Sequence, residues 1–191
     1  LQADVVVSGG RGLESFESTL QSLGDNGPVV VFANYNYELY NQDDASVSDE
    51  ESSHLEGANP HLYLSVAGAK YILESAAVAL IELYPQYAEQ IRANMEAADA
   101  RLDELGVEMR SIAAGAAGQR AILMNETLVY LAEDLGFEIA GQYDRESGQQ
   151  LYENEVEGCL EQLAEMDARV VLIEKQAPAS LVETLEEAGY A

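Results

Sequence analysis

Short β-branched runs alternate along the chain with stretches whose apolar residues recur every three or four positions. Residues 4–8, Asp4-Val5-Val6-Val7-Ser8, are closed by Gly9-Gly10 and read as a buried strand. Residues 12–20 carry Leu13, Phe16 and Leu20 at helical spacing, and residues 28–32, Pro28-Val29-Val30-Val31-Phe32, read as a second buried strand. In residues 66–84 the apolar positions Ala69, Ile72, Leu73, Ala76, Leu80 and Leu83 form one helical stripe, with Ser65 as its N-cap. Pro85 interrupts that stripe and suits the first turn of a new helix. Beyond it Tyr87, Ile91, Met95, Ala98, Leu102 and Leu105 recur at three and four residues. Unbroken to residue 112, this helix spans about 40 Å at 1.5 Å per residue. Gly106 weakens it locally and is the place where it would end early.

After the small-residue break at 113–118, strand and helix patterns alternate again. Strands are expected at 121–124, 137–140 and 169–173, and helices at 126–135, 153–166 and 179–188. Strands separated by helices of this length imply an α/β fold with parallel sheets and helices on both faces. Ligands of such sheets sit at the carboxyl ends of the strands. Asn125 and Glu126 follow one strand there, Tyr143, Asp144 and Arg145 a second, and Glu174, Lys175 and Gln176 a third.

The charge narrows the choice of partners. Nine basic side chains face 35 acidic ones, a formal net charge of −26. That surface repels phosphate backbones and anionic lipid headgroups and attracts cations, which argues against nucleic acid as a partner. It is also what a solvated acidic surface looks like. Cys159, the single cysteine, allows no internal disulfide, and its helical context suits a small buried residue. No apolar run approaches the roughly 20 residues of a membrane span. No nucleophile–base pair, Gly-x-Ser-x-Gly elbow or Walker loop is present, so the chain does not read as an enzyme. The turn Gly9-Gly10-Arg11-Gly12 lacks dinucleotide-fingerprint spacing. Glu126 with Glu174 would serve as paired carboxylates only if the fold brought them together.

Only two histidines exist, His54 and His61. His61 lies in Asn59-Pro60-His61-Leu62-Tyr63-Leu64-Ser65, between an acidic loop and a helix. Pro60 fixes its own φ and restricts Asn59 to extended conformations, so the backbone at His61 is expected to be rigid. Two readings follow from these residues alone: a presented metal ligand, or a histidine whose ring is hydrogen-bonded at a loop end. The tyrosine-rich segment 34–40 reads as a loop or interface packed by its rings, and residues 41–57, which include His54, as an acidic loop.

Residues 59–65 resemble the Asp/Asn-Pro-His segment of the zinc- and manganese-binding solute receptors of bacterial ABC importers, the ZnuA/TroA/PsaA-like family. Residues 3–14 are similar to the same family's first strand and Asn-Gly-x-Gly-Leu-Glu turn. The resemblance implies two parallel-sheet lobes joined by a long backbone helix, with a cleft between the lobes. The corresponding parts here are an N-terminal lobe over 1–85, the linking helix over 86–113 and a C-terminal lobe over 114–191. It implies His61 as a metal ligand and, when the segments are aligned on Tyr130, places Asn125 at the family's second-lobe ligand position. Asn125 departs from the His or Glu found there, and the adjacent Glu126 is the alternative oxygen donor. His54 is a further candidate, from the loop that precedes the Pro-His segment in zinc receptors. The family's first histidine would fall upstream of Leu1 and its aspartate beyond Ala191, so the chain would be about two-thirds of a member. The implied cargo is a divalent cation, zinc or manganese, and the implied partner an ABC permease. The implied location is extracytoplasmic, in the periplasm or on the cell surface, with membrane attachment only through an anchor outside this chain. A receptor fold that has lost its metal and binds another small ligand or a protein partner remains the alternative.

Overall fold

The computed structural model describes residues 3–10, 12–22, 27–33, 59–143 and 153–191. His54, the tyrosine-rich segment, the acidic loop, Asp144 and Arg145 lie outside the described residues. The chain divides into two compact units, Leu1–Val107 and Glu108–Ala191.

In the first unit β1 (Val5–Ser8) pairs in parallel with β2 (Val29–Phe32), Val5 opposite Val29 through Ser8 opposite Phe32. The helix between them, α1 (Glu17–Ser22), begins later than its apolar spacing predicts. Gly10 and Gly12 take φ of 77° and 81°, and the chain turns there instead of entering a helix. The Glu17 carboxylate accepts the N–H groups of Gly12 (2.9 Å) and Glu14 (3.1 Å), holding donors that a longer helix would leave at its N-terminus. The expected stripe therefore splits: Leu20 is buried, while Phe16 is exposed.

Glu14 closes the same turn by accepting from the Ser8 hydroxyl (2.8 Å) and the Gly9 N–H (3.0 Å). Burial pushes its pKa up, but the Gly9 N–H, the Ser8 hydroxyl and the contacts with Glu17 and Gly10 outweigh this and hold it below 4.5. A carboxyl depressed on folding contributes stability above its unfolded pKa and loses that contribution as pH falls through the folded one. The turn should thus loosen below about pH 4.5. Hydrogen exchange at Gly9 and Gly12 should accelerate in that window relative to intrinsic rates. In Glu14→Gln the Gly9 amide should lose this pH dependence; an unchanged profile would assign the effect elsewhere.

A 3-10 turn, Leu62–Leu64, leads into α2 (Val66–Leu83), and a second, Pro85–Tyr87, leads into α3 (Ala88–Ala113). Gly106 does not end α3; it is buried within a helix of 26 residues that crosses the boundary between the units. Lys70 of α2 pairs with Asp99 (3.2 Å) and Asp103 (2.7 Å), one turn apart on α3.

The second unit holds a parallel sheet in the order β4-β3-β5, formed by Glu138–Gln142, Arg120–Leu123 and Val170–Leu172. Successive residues of β3 face opposite sides, as strand geometry requires. Ile122 and Met124 join Cys159, Leu163, Leu181 and Leu185, from α5 (Glu153–Glu165) and α6 (Ala179–Glu187). Leu123 packs instead with Val129 and Ala132 of α4 (Val129–Asp134). Both faces are covered, which explains why β3 is apolar and buried from Ala121 to Leu123, after the exposed Arg120, rather than alternating. Cys159 is 1% exposed and fills space in this core, as its sequence context suggests. Among the described residues no helix is long and apolar enough to cross a membrane.

Candidate metal-binding site

His61 is held by the residue two places before it. Asn59, 2% exposed, accepts the His61 backbone N–H at 3.0 Å through Oδ1, and the same oxygen lies 2.9 Å from His61 Nδ1. The first contact settles the second. A backbone N–H only donates, so the Asn59 atom facing it is the oxygen, and an oxygen acceptor requires the proton on Nδ1. The neutral imidazole then carries its lone pair on Nε2, the form in which histidine ligates a metal. Of the two sequence-based readings of His61, the structure shows the ring hydrogen-bonded through Nδ1; the metal-ligand reading concerns the other ring nitrogen, Nε2.

The platform beneath His61 is equally constrained. Leu62 is fully buried, and its carbonyl accepts the Ser65 N–H and the Ser65 hydroxyl, each at 3.0 Å. Ser65 caps α2 as expected, accepting the Gly68 N–H at 3.0 Å. Ser65→Ala should cost about 1 kcal/mol, the usual worth of an N-cap, read as a lower denaturant midpoint. An unchanged midpoint would mean that water replaces the cap without loss. Tyr63 stands 5.9 Å from the His61 ring, tilted by 57°.

In the second unit the parallel ladder runs past the end of β3, where Met124 N–H donates to Leu172 O at 2.9 Å. The next residue, Asn125, is 7% exposed and caps the short 3-10 turn Glu126–Leu128. Its Oδ1 accepts the Thr127 N–H at 2.9 Å, and its Nδ2 donates to Glu174 Oε1 at 2.5 Å. Glu126 opens that turn as an exposed residue. The fold therefore joins Glu174, beyond β5, to Asn125. Sequence reasoning placed Glu174 among the strand-end residues without identifying its partner. The missing signal was strand order: only the pairing of β3 with β5 puts positions 125 and 174 side by side. Among the described residues no group of three or more His, Cys, Asp or Glu is arranged to hold a metal ion.

A sequence profile of the family described as "ZnuA: Zinc-uptake complex component A periplasmic" matches residues 1–190. No curated protein sequence matches the chain at a significant level. Solved structures share the fold. A mutant of FpvC from Pseudomonas aeruginosa superposes with a TM-score of 0.78 at 23% identity, over 97% of this chain and 68% of that one. FpvC in complex with Mn2+ gives 0.72 at 23% identity, over 97% and 66%. A crystal structure of ZnuA gives 0.72 at 23% identity, over 98% and 70%. The chain thus spans about two-thirds of the length of these structures.

Proposed function

The chain belongs to the periplasmic zinc-uptake component A (ZnuA) family, and from that membership we propose that it is the extracytoplasmic solute-binding protein of a metal ABC importer. It captures a divalent cation and delivers it to the permease. The cargo is zinc or manganese; structures of the same fold include one in complex with Mn2+ and one of ZnuA itself. No chemistry is done on the cargo: the protein is a receptor, not an enzyme.

The observation that carries this reading is Asn59 holding His61 in the Nδ1–H tautomer. A ring fixed in this way presents Nε2 as a donor with little rotational entropy left to lose on binding. His61 is the ligand of the first unit. In the second unit Asn125 and Glu126 stand where the family resemblance implies a ligand. Each offers oxygen, a harder donor than imidazole. The net charge of −26 raises the local concentration of cations and speeds capture at low salt.

The test is calorimetric titration of the chelator-stripped, full-length protein with Zn2+ and Mn2+, beside His61→Ala. Saturable one-site binding that is lost in His61→Ala supports the receptor. Absence of binding with either ion would instead favour a fold retained after metal capture was lost.

A further inference from the structure

We propose that the second unit binds a small organic carboxylate at the end of its sheet opposite the Asn125–Glu174 contact, with Arg120 and Arg169 as the anion-binding groups. This does not rest on the receptor reading. A cavity of about 340 Å³ opens there, lined by Arg120, Asp167, Ala168, Arg169 and Val170 around the starts of β3 and β5, and by Ala164 of α5. That volume lies in the range of small-molecule sites. Ala121 pairs with Val170, so Arg120 and Arg169, each one residue earlier, stand opposite one another. Opposed positions of neighbouring strands share a face, here the face of Ile122 and Val171.

Two of only nine basic side chains are thus set side by side. Like charges directly opposite in a sheet are destabilising, and a bridging anion relieves them. Arg120 Nη1 donates to the Asp167 carbonyl oxygen and to Asp167 Oδ2, each at 2.8 Å. The Asp167 side chain is 97% exposed, so water screens this pair and it neutralises little. Both contacts use Nη1, which leaves the Nε–Nη2 edge, two parallel donors that match a carboxylate. Among the described residues no carboxylate pairs with Arg169. Its guanidinium lies 5.6 Å from the centre of the Tyr190 ring, which is buried and forms a fixed platform. The ring attracts the charge without supplying an oxygen acceptor for the N–H groups. Ala164, Ala168 and Val170 offer an apolar wall to a short carbon chain, which inorganic phosphate lacks. A doubly charged phosphate also meets stronger repulsion from a chain of net charge −26 than a monocarboxylate does.

The test is a titration of the chelator-stripped, full-length protein at low salt with butyrate, acetate, neutral butyramide and inorganic phosphate, followed by nitrogen-15 spectra that include the arginine Nε groups. Butyrate should bind saturably, shift the Arg120 and Arg169 Nε signals and bind more tightly than acetate, and butyramide should not bind. Arg120→Gln and Arg169→Gln should each weaken butyrate binding by about tenfold or more, the scale of a lost charge-assisted hydrogen bond. Arg120→Lys keeps the charge without the fork and should recover only part of the loss. Asp167→Asn should tighten binding, because it removes the carboxylate that competes for Arg120. Should Arg169→Gln disturb the fold through its contact with Tyr190, Arg120→Gln and Asp167→Asn change exposed side chains and carry the test. Absence of saturable butyrate binding, wild-type affinity in the glutamine variants, or phosphate binding more tightly than butyrate would overturn the inference.

Discussion

Gly68→Ala should be among the most damaging single-methyl additions in the first unit. A Cβ at Gly68 would lie 2.0 Å from the Leu62 carbonyl oxygen and 2.6 Å from its carbon. These are backbone atoms, so no rotamer change relieves the clash. Either α2 or the Leu62–Leu64 turn has to move, and Leu62 is fully buried and anchored through its carbonyl to Ser65. Overpacking of this kind costs about 1–3 kcal/mol, and a backbone obstacle places the variant at the upper end. The displaced turn begins at His61, so cation affinity should fall along with stability. The control is Gly158→Ala in α5, where a Cβ meets nothing within 4 Å. That change should stabilise by about 0.5–1 kcal/mol, because alanine loses less backbone entropy in a helix. Denaturant titrations of both variants check the pair. Equal behaviour would show that α2 slides along the turn without penalty.

The contrast shows where sequence is a good guide and where it is not. Elements that follow from their own apolar pattern were legible as elements: both valine runs, the helix α2, the long α3 and the strand–helix alternation after residue 118 all form close to their expected positions, but the two valine strands are only partly buried, with Val7 and Val29 exposed, and not the buried strands their composition suggests. The N-cap at Ser65 was legible too, because a cap is a local bond across three residues. Residues 12–16 were not. Their apolar spacing is helical, but two glycines at positive φ and two glutamate side chains bonding back to the backbone win over periodicity. Gly68 carried no visible meaning for the same physical reason: its role is a tertiary approach to Leu62, six residues away, which no periodicity encodes. At the site, His61 was legible from its motif, whereas the orienting bond from Asn59 needed coordinates. The Asn125–Glu174 contact spans 49 residues and follows only from strand order.

Asn59→Ala should separate the two halves of the argument about His61, since it leaves the ligand in place and removes what orients it. One oxygen, Oδ1, accepts both the His61 backbone N–H and Nδ1 from a side chain that is 2% exposed. Deleting it strips a part-buried backbone donor of this acceptor, at a cost of about 1–3 kcal/mol in stability. It also frees the imidazole to rotate and to place its proton on either nitrogen. Loss of an outer partner of a ligating histidine typically lowers metal affinity by about 10–100-fold, and that is the expected loss for Zn2+ and Mn2+ alike. Asn59→Asp should behave differently. It keeps the acceptor, adds a negative charge beside the ring and makes the imidazole a more basic donor. Affinity should hold or rise at neutral pH, and binding should become more sensitive to acid, because the same charge favours the protonated ring that cannot ligate. Calorimetry gives the affinities, and nitrogen-15 spectra of the ring report the tautomer directly: Nδ1–H in wild type and a mixture in Asn59→Ala. An alanine variant with wild-type affinity and a single tautomer would show that the cation itself, and not Asn59, orients His61.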